Sequence, residues 1–300
     1  MIQTELLRVA GFRGINVRAS KFLIPEGAAQ RIVNFVFDEE GVLTAIGGHV
    51  RWNSTSLGPG RIQGGVRFYR TQAAPQLIVA HGGKLYLGDD TNRTFSQIYD
   101  GLDTDALVEM VPYRNLLFIV NGVDKPIKWD GTNVTNMGIE APTTAPTATD
   151  SGVAGNLNGT YSWKVTFVSA THESHGSPAS NTLTVSNKQV ELSNIPTSPD
   201  PQVIKRRIYR TLADGTIYKF VGEINDNTTT TFTDNVADSS LGPDIPVDKD
   251  PPPRGAFIEV FKNRLWMSGV SGFPNRLFFS EYFEPEAWPS YYYVDLPIQQ

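Results

Sequence analysis

None of the 300 residues is a cysteine. That excludes disulfides, thiolate metal sites and cysteine nucleophiles. Only four histidines occur, His49, His81, His172 and His175, which leaves little imidazole for metal binding or proton transfer. No run approaches the 18 or so apolar residues of a membrane-spanning helix. The opening MIQTELLRVAGFRG has neither a basic n-region nor an apolar h-region, so no signal peptide is expected. Five Asn-x-Ser/Thr triplets, such as Asn92-Arg93-Thr94, matter only in a secretory setting, of which there is no sign. Charge is sparse as well: 19% of residues carry it, and the formal net charge is −5. No basic field advertises nucleic-acid binding. Between Pro142 and Asp250 there are 8 Lys and Arg against 12 Asp and Glu, so most of the acidic excess sits there.

What the chain does have is turn residues, 27 Gly and 20 Pro. They suit short strands rather than long helices. The organising stretch is Asn115 to Gly131, NLLFIVNGVDKPIKWDG. Leu116 to Val120 reads as a strand closed by Asn121-Gly122, and Ile127 to Trp129 reads as its return, stopped by Asp130-Gly131. The same plan appears in Gln76 to Asp90 and in Asn263 to Glu281. Leu77 and Leu116 are 39 residues apart, near the roughly 40–50 of one four-stranded propeller blade. Leu116 and Leu265 are 149 apart, which leaves room for one more blade period and a passenger of about 100 residues, the size of a β-sandwich.

The expected fold class is therefore all-β: a partial or incomplete β-propeller-like platform interrupted by an inserted β-sandwich. The expected boundaries are 1–141 and 251–300 for the platform and 142–250 for the insertion. Asn34 to Thr44 reads as a hairpin turning at Glu40-Gly41, and Ala28 to Phe35 as a short helix or an irregular segment. Gly58 to Gly65 reads as plain turns, lacking the Gly-Lys-Ser/Thr ending of a phosphate loop. Ala141 to Asp150, APTTAPTATD, reads as a linker unable to continue a ladder. Inside the insertion, Thr160 to Ala170 alternates, placing Tyr161, Trp163, Val165 and Phe167 on one face. Asn181 to Val185, Gln189 to Leu192, Val203 to Thr211, Ile217 to Ile224 and Thr230 to Asp234 supply further short strands. The chain leaves through the proline-rich Gly242 to Pro253.

Candidate chemistry is thin. His172-Glu173-Ser174-His175 has a spacing that metal ligands use, but it lies in a Gly/Ser/Pro-rich loop without the His-Glu-x-x-His helix. Asp100, Asp103 and Asp105 share a loop without calcium-site spacing and read as solvated. Glu281, Glu284 and Glu286 offer carboxylates of the kind glycosidases pair. Tyr282, Phe283 and Trp288 lie nearby, but the whole reads as a loop capping a sheet with buried aromatics. Tyr291-Tyr292-Tyr293 reads as strand packing or a contact between subunits. Lys205, Arg206, Arg207 and Arg210 form the only basic cluster. On a strand only part of it shares a face, and it reads as a solvated surface packing its aliphatic stems. No nucleophile elbow is present. No enzyme activity, catalytic residue, cofactor or metal is expected.

Three groups of stretches carry a family resemblance. Phe12-Arg13-Gly14-Ile15-Asn16-Val17-Arg18, Ile24 to Asn34 (IPEGAAQRIVN) and Glu39-Glu40-Gly41-Val42-Leu43 are similar to the start of bacteriophage tail nozzle (tail tubular B-type) proteins. Asn263-Arg264-Leu265-Trp266, Asn275 to Glu281 (NRLFFSE) and Pro285-Glu286-Ala287-Trp288 resemble a later segment of the same group. Thr160 to Val168 and Arg207 to Thr211 resemble fibronectin type III-like domains of phage tails. The resemblance implies a virion protein assembled in the bacterial host cytoplasm into a homo-oligomeric ring, a hexamer being favoured, around the DNA ejection channel. It implies contacts with other tail or adaptor proteins, passage of DNA without specific binding, no membrane span and no catalytic residues. Members of that group run longer, and three hairpins do not close a propeller. An open edge then awaits more chain or a neighbour. The alternative reading is a carbohydrate-binding or adhesive propeller, with or without glycosidase activity.

Overall fold

The computed structural model describes residues 11, 13–37, 43–46, 48 and 50–297. Among them the regular elements are β-strands, apart from one 3-10 turn at Asp238–Ser240. The chain divides into two compact units, Met1–Ser54 and Thr55–Gln300. In the first, Ile15 bridges Ala29, and β1 (Phe35–Phe37) pairs antiparallel with β2 (Leu43–Ala45). This is the hairpin expected over Asn34 to Thr44. Its turn at Glu40-Gly41 lies outside the described residues, as do Phe12, His49 and 298–300. Residues 28–34 form no helix.

The second unit opens with two four-stranded antiparallel meanders. The first is β3 (Ile62–Phe68), β4 (Gln76–His81), β5 (Lys84–Asp89) and β6 (Thr94–Asp100); the next is β7 (Glu109–Tyr113), β8 (Leu116–Val120), β9 (Ile127–Trp129) and β10 (Val134–Asn136). The chain then forms β11 (Thr147–Tyr161), β12 (Trp163–Val168), β13 (Leu183–Ser193), β14 (Lys205–Thr211), β15 (Tyr218–Ile224) and β16 (Phe232–Asp234). It returns as a third meander, β17 (Phe257–Phe261), β18 (Arg264–Ser268), β19 (Arg276–Phe279) and β20 (Tyr293–Asp295). The three hairpins read from the sequence are β4–β5, β8–β9 and β18–β19, the central pair of each meander.

The middle meander explains the apolar run LLFIV. Successive side chains of a strand point to opposite faces. Leu117 and Ile119 join Phe68, Ile78 and Leu85 of the first meander in one core. Phe118 and Val120 join Ile258, Leu265 and Met267 of the third in another. A strand covered on both faces has no polar side to alternate with. The first strands of the meanders approach each other, β3 to β7 and β7 to β17. Gly64 permits the first approach, because a Cβ there would stand 2.1 Å from the Val108 carbonyl oxygen. Ile62 to Gly65 is therefore strand, where turns were expected. None of the sheets is closed. The third leaves Phe257 and Phe261 of β17 exposed.

The strands of two further sheets, ordered β11-β13-β16 and β12-β14-β15, all fall within 142–250 and enclose one core. Leu157, Tyr161, Val190 and Leu192 enter it from the first sheet; Trp163, Val165, Ile208 and Val221 enter from the second. Tyr161 and Trp163, expected on one strand, belong to different sheets, since the chain crosses over at Ser162. Phe167 packs instead with Ile139 and Val203. The linker is shorter than expected: Thr147 to Asp150 already pair with Val190 to Ser193. Asn181 to Val185 and Gln189 to Leu192 fall largely within one long strand, β13.

The free edge of β12 is closed by serines spaced three apart. The backbone N–H groups of Phe167, Val165 and Trp163 donate to the hydroxyls of Ser174, Ser177 and Ser180, each at 3.0 Å. The N–H groups of the same serines donate back to the carbonyls of Phe167, Val165 and Trp163, at 2.9, 2.7 and 2.8 Å. Each hydroxyl thus stands in for the carbonyl of a missing strand. Ser177→Ala leaves the Val165 N–H without its acceptor in a buried site. It is expected to cost about 1–3 kcal/mol, read as a lower urea midpoint with unchanged slope.

Candidate functional site

The most concentrated chemistry lies where the inserted sheets meet the meanders. The loop Glu281–Trp288 is closed by the Glu281 N–H donating to the Ala287 carbonyl at 2.7 Å. Ala287 and Trp288 are buried, Trp288 with the core shared by the second and third meanders. Anchoring these two residues draws Glu286 inward, and only 3% of it stays exposed. There its carboxylate takes a hydrogen bond from the ammonium of Lys128, itself buried on β9 between Ile127 and Trp129. It also accepts from the Thr171 hydroxyl at 2.7 Å and the Gly138 N–H at 2.9 Å. Glu286 therefore ties three separate stretches together: β9, the exit from β10, and the loop after β12. Around it, Gln202 Nε2 donates to the Asn136 carbonyl at 3.1 Å, and the Trp288 N–H to the Asp250 carbonyl at 2.9 Å.

Two clefts open beside this knot, of about 650 and about 330 Å³. Arg114, Thr171, His172, Phe283 and Glu284 line both. Lys205, Arg207, Glu173 and Lys249 add to the larger. Arg114 occupies the β7–β8 turn at φ 51 and donates from Nη1 to the Phe283 carbonyl at 2.9 Å, its guanidinium 5.4 Å from the Phe283 ring centre. Phe283 is half exposed at φ 61, a left-handed conformation that costs a bulky residue energy.

His172 is buried, and its Nε2 has no hydrogen-bond partner. Burial pushes its imidazole below the ordinary value; the Glu286 carboxylate pulls the other way, the Lys249 ammonium adds to the lowering and a hydrogen bond to the Lys249 backbone opposes it. A histidine with a depressed pKa holds the fold in its neutral form. Its contribution is whole above the unfolded value, about 6.5, and is lost as pH falls from there toward the folded value. Stability is expected to fall below pH 6.5, by at most about 1.4 kcal/mol per pH unit for this one proton, read as a falling melting temperature. His172→Gln should flatten that drop; an unchanged slope would refute the assignment.

The other sequence candidates are dispersed by the fold. The basic cluster is not a solvated face. Arg206 and Arg210 point into the space between the two sheets, both fully buried. Arg206 pairs with Asp226 at 2.9 Å; Arg210 pairs with Asp234 at 2.9 Å and Asp238 at 2.7 Å. Lys205 and Arg207 face the other way and meet Glu223 and Glu173. The Thr229 hydroxyl, then the Thr229 and Thr228 N–H groups, hold the Asp226 carboxyl far below the usual range. Burial and a hydrogen bond to Glu173 push the Tyr209 phenol up.

His175 pairs with Asp250 at 2.8 Å, away from the bonds of Glu173. No group of three or more His, Cys, Asp or Glu able to hold a metal occurs among the described residues. Glu281, Glu284 and Glu286 are each met by a different cation, Arg264, Lys249 and Lys128. Asp103 caps its own loop through the N–H groups of Asp105 and Ala106, and Asp100 pairs with Lys84. Tyr291 hydrogen-bonds Asp248, Tyr292 stacks on Phe279 at 5.0 Å, and Arg276 lies 3.6 Å over Tyr293. Sequence reasoning missed Lys128, Arg114 and Thr171. The available signal for Lys128 was a lysine inside an otherwise apolar strand. No helix among the described residues is long and apolar enough to cross a membrane. No known protein family and no curated protein matches the sequence.

Proposed function

We propose that this chain is a structural component of a bacteriophage tail, of the nozzle class, contributing to a homo-oligomeric ring around the path of ejected DNA. The observation that carries the reading is the row of three four-stranded meanders converging on their first strands. Such sheets are what propeller blades are made of, and the inserted pair of sheets is read as a fibronectin type III-like β-sandwich. The outward face of the third meander, with Phe257 and Phe261, suits covering by a further sheet or by a neighbouring protein. The protein is placed in the virion, assembled in the host cytoplasm with other tail or adaptor proteins, and acts without catalysis.

The charge pattern fits a conduit. The basic run Lys205 to Arg210 is spent on ion pairs within the chain, and the net charge is −5. A lining that neutralised phosphates would grip the duplex in a salt-sensitive way, whereas a neutral or acidic one lets it slide. Electron microscopy of the purified protein, with its mass in solution, tests the ring. Closed rings of several copies are expected, and a monomer at every concentration would overturn it. Duplex DNA at about 0.15 M salt should show no binding in the roughly 10⁻⁴–10⁻⁶ M range of non-specific binders. Micromolar, salt-sensitive binding would overturn the conduit.

A further inference from the structure

We infer that the cleft between the loop after β12 and the loop Glu281–Trp288 is a binding site for an acidic saccharide, a sugar chain bearing ring carboxylates. The inference is independent of the tail reading. Three features converge. The first is charge. Arg114, Lys205, Arg207 and Lys249 line the cleft. Three of them already meet carboxylates: Lys205 and Arg207 share Glu223, Arg207 also meets Glu173, and Lys249 meets Glu284. Arg114 has no carboxylate partner among the described residues; it donates only to the Phe283 carbonyl. A guanidinium has five N–H donors in a fork that matches a carboxylate, so Arg114 retains donors for a ligand.

The second feature is the mixture of signs. Glu173 and Glu284 stand beside the cations in the same wall. Such a wall repels a purely acidic peptide but suits a sugar acid, whose hydroxyls donate to carboxylates while its own carboxylate accepts from arginine. The third is Phe283, a half-exposed ring packed edge-on with Tyr282 and beside the Arg114 guanidinium, whose remaining exposed surface is apolar and can meet the C–H groups of a pyranose. Its left-handed backbone is held by its own N–H donating to the Asn263 carbonyl at 3.0 Å and by Arg114 on its carbonyl. Strain kept in place at a cleft, against a cost, is the pattern found at ligand clamps. His172 adds a buried ring nitrogen with no partner, in a side chain that lines the same cleft.

The test is calorimetric titration of the full chain with an oligogalacturonate and with a neutral malto-oligosaccharide of equal length. Arg114→Gln and Phe283→Gly serve as variants. Glycine accepts the left-handed conformation freely, so Phe283→Gly removes the ring and relieves strain together, and its melting temperature should not fall. The acidic oligosaccharide is expected to bind about tenfold or more tighter than the neutral one, and each variant should weaken it by about tenfold, as losing a charged hydrogen bond or a contact of similar strength does. No binding of the acidic sugar, equal binding of the neutral one, or unchanged binding by both variants would overturn the proposal. So would inorganic phosphate or a poly-glutamate peptide binding as tightly as the sugar and indifferent to Phe283→Gly.

Discussion

Asp234→Ala is expected to destabilise the inserted sheets by about 3–5 kcal/mol, the usual cost of breaking a buried pair from one side. Asp234 and Arg210 are both fully buried, with Nη1 and Oδ2 2.9 Å apart. The same Oδ2 accepts the indole N–H of Trp163 at 2.8 Å, and Oδ1 accepts the Val236 N–H at 3.0 Å. Removing the carboxylate strands a guanidinium, an indole and a backbone donor at once. Asp238 remains at 2.7 Å from Arg210 and softens the loss. Arg210→Met combined with Asp234→Leu leaves no buried charge unpaired and should cost less than Asp234→Ala alone, the remaining cost being the unpaired Trp163 indole and Val236 N–H. Urea unfolding followed by Trp fluorescence ranks the variants. If Asp234→Ala melts like the parent, the pair is not holding the core.

Glu286→Ala is expected to be the other severe change, again about 3–5 kcal/mol. It leaves the buried Lys128 ammonium uncompensated and takes the acceptor from the Gly138 N–H and the Thr171 hydroxyl. Its signature should differ from that of Asp234→Ala. Glu286 links the meanders to the loop after β12, so its loss should separate the unfolding of the inserted sheets from that of the meanders, giving two calorimetric transitions. A single transition at the parent temperature would show that the link carries no coupling.

The sequence made the central hairpins legible for a local reason. Each is an apolar run stopped by a turn dipeptide, as at Asn121-Gly122, and both halves lie within about 20 residues. The flanking strands were harder to see. β3 contains Gly64 and Gly65, which read as turn residues until Val108 is placed against Gly64 and the neighbouring strand β4 against Gly65. β11 carries register shifts between Asp150 and Gly159 that disrupt the period of two by which a strand is recognised. The candidate site was legible only in fragments. Alternation on β14 correctly split the basic cluster between two faces, but the faces were assigned to solvent. Partners such as Asp226 and Asp234 lie on other segments, and local pattern carries no record of them. Lys128 and Glu286 are still farther apart in the chain, joined only because the third meander returns to the second.

That return has a consequence for synthesis. Val120 and Phe118 belong to a core completed by Ile258, Leu265 and Met267, which leave the ribosome more than a hundred residues later. At roughly 5–20 residues per second, one face of the second meander waits on the order of ten seconds for its cover. During that time the inserted sheets emerge and the nascent chain carries a bare aliphatic and aromatic surface. The two sheets between the second and third meanders must be made before the third meander can close over that surface, and holding factors that bind exposed apolar strands have their natural window there.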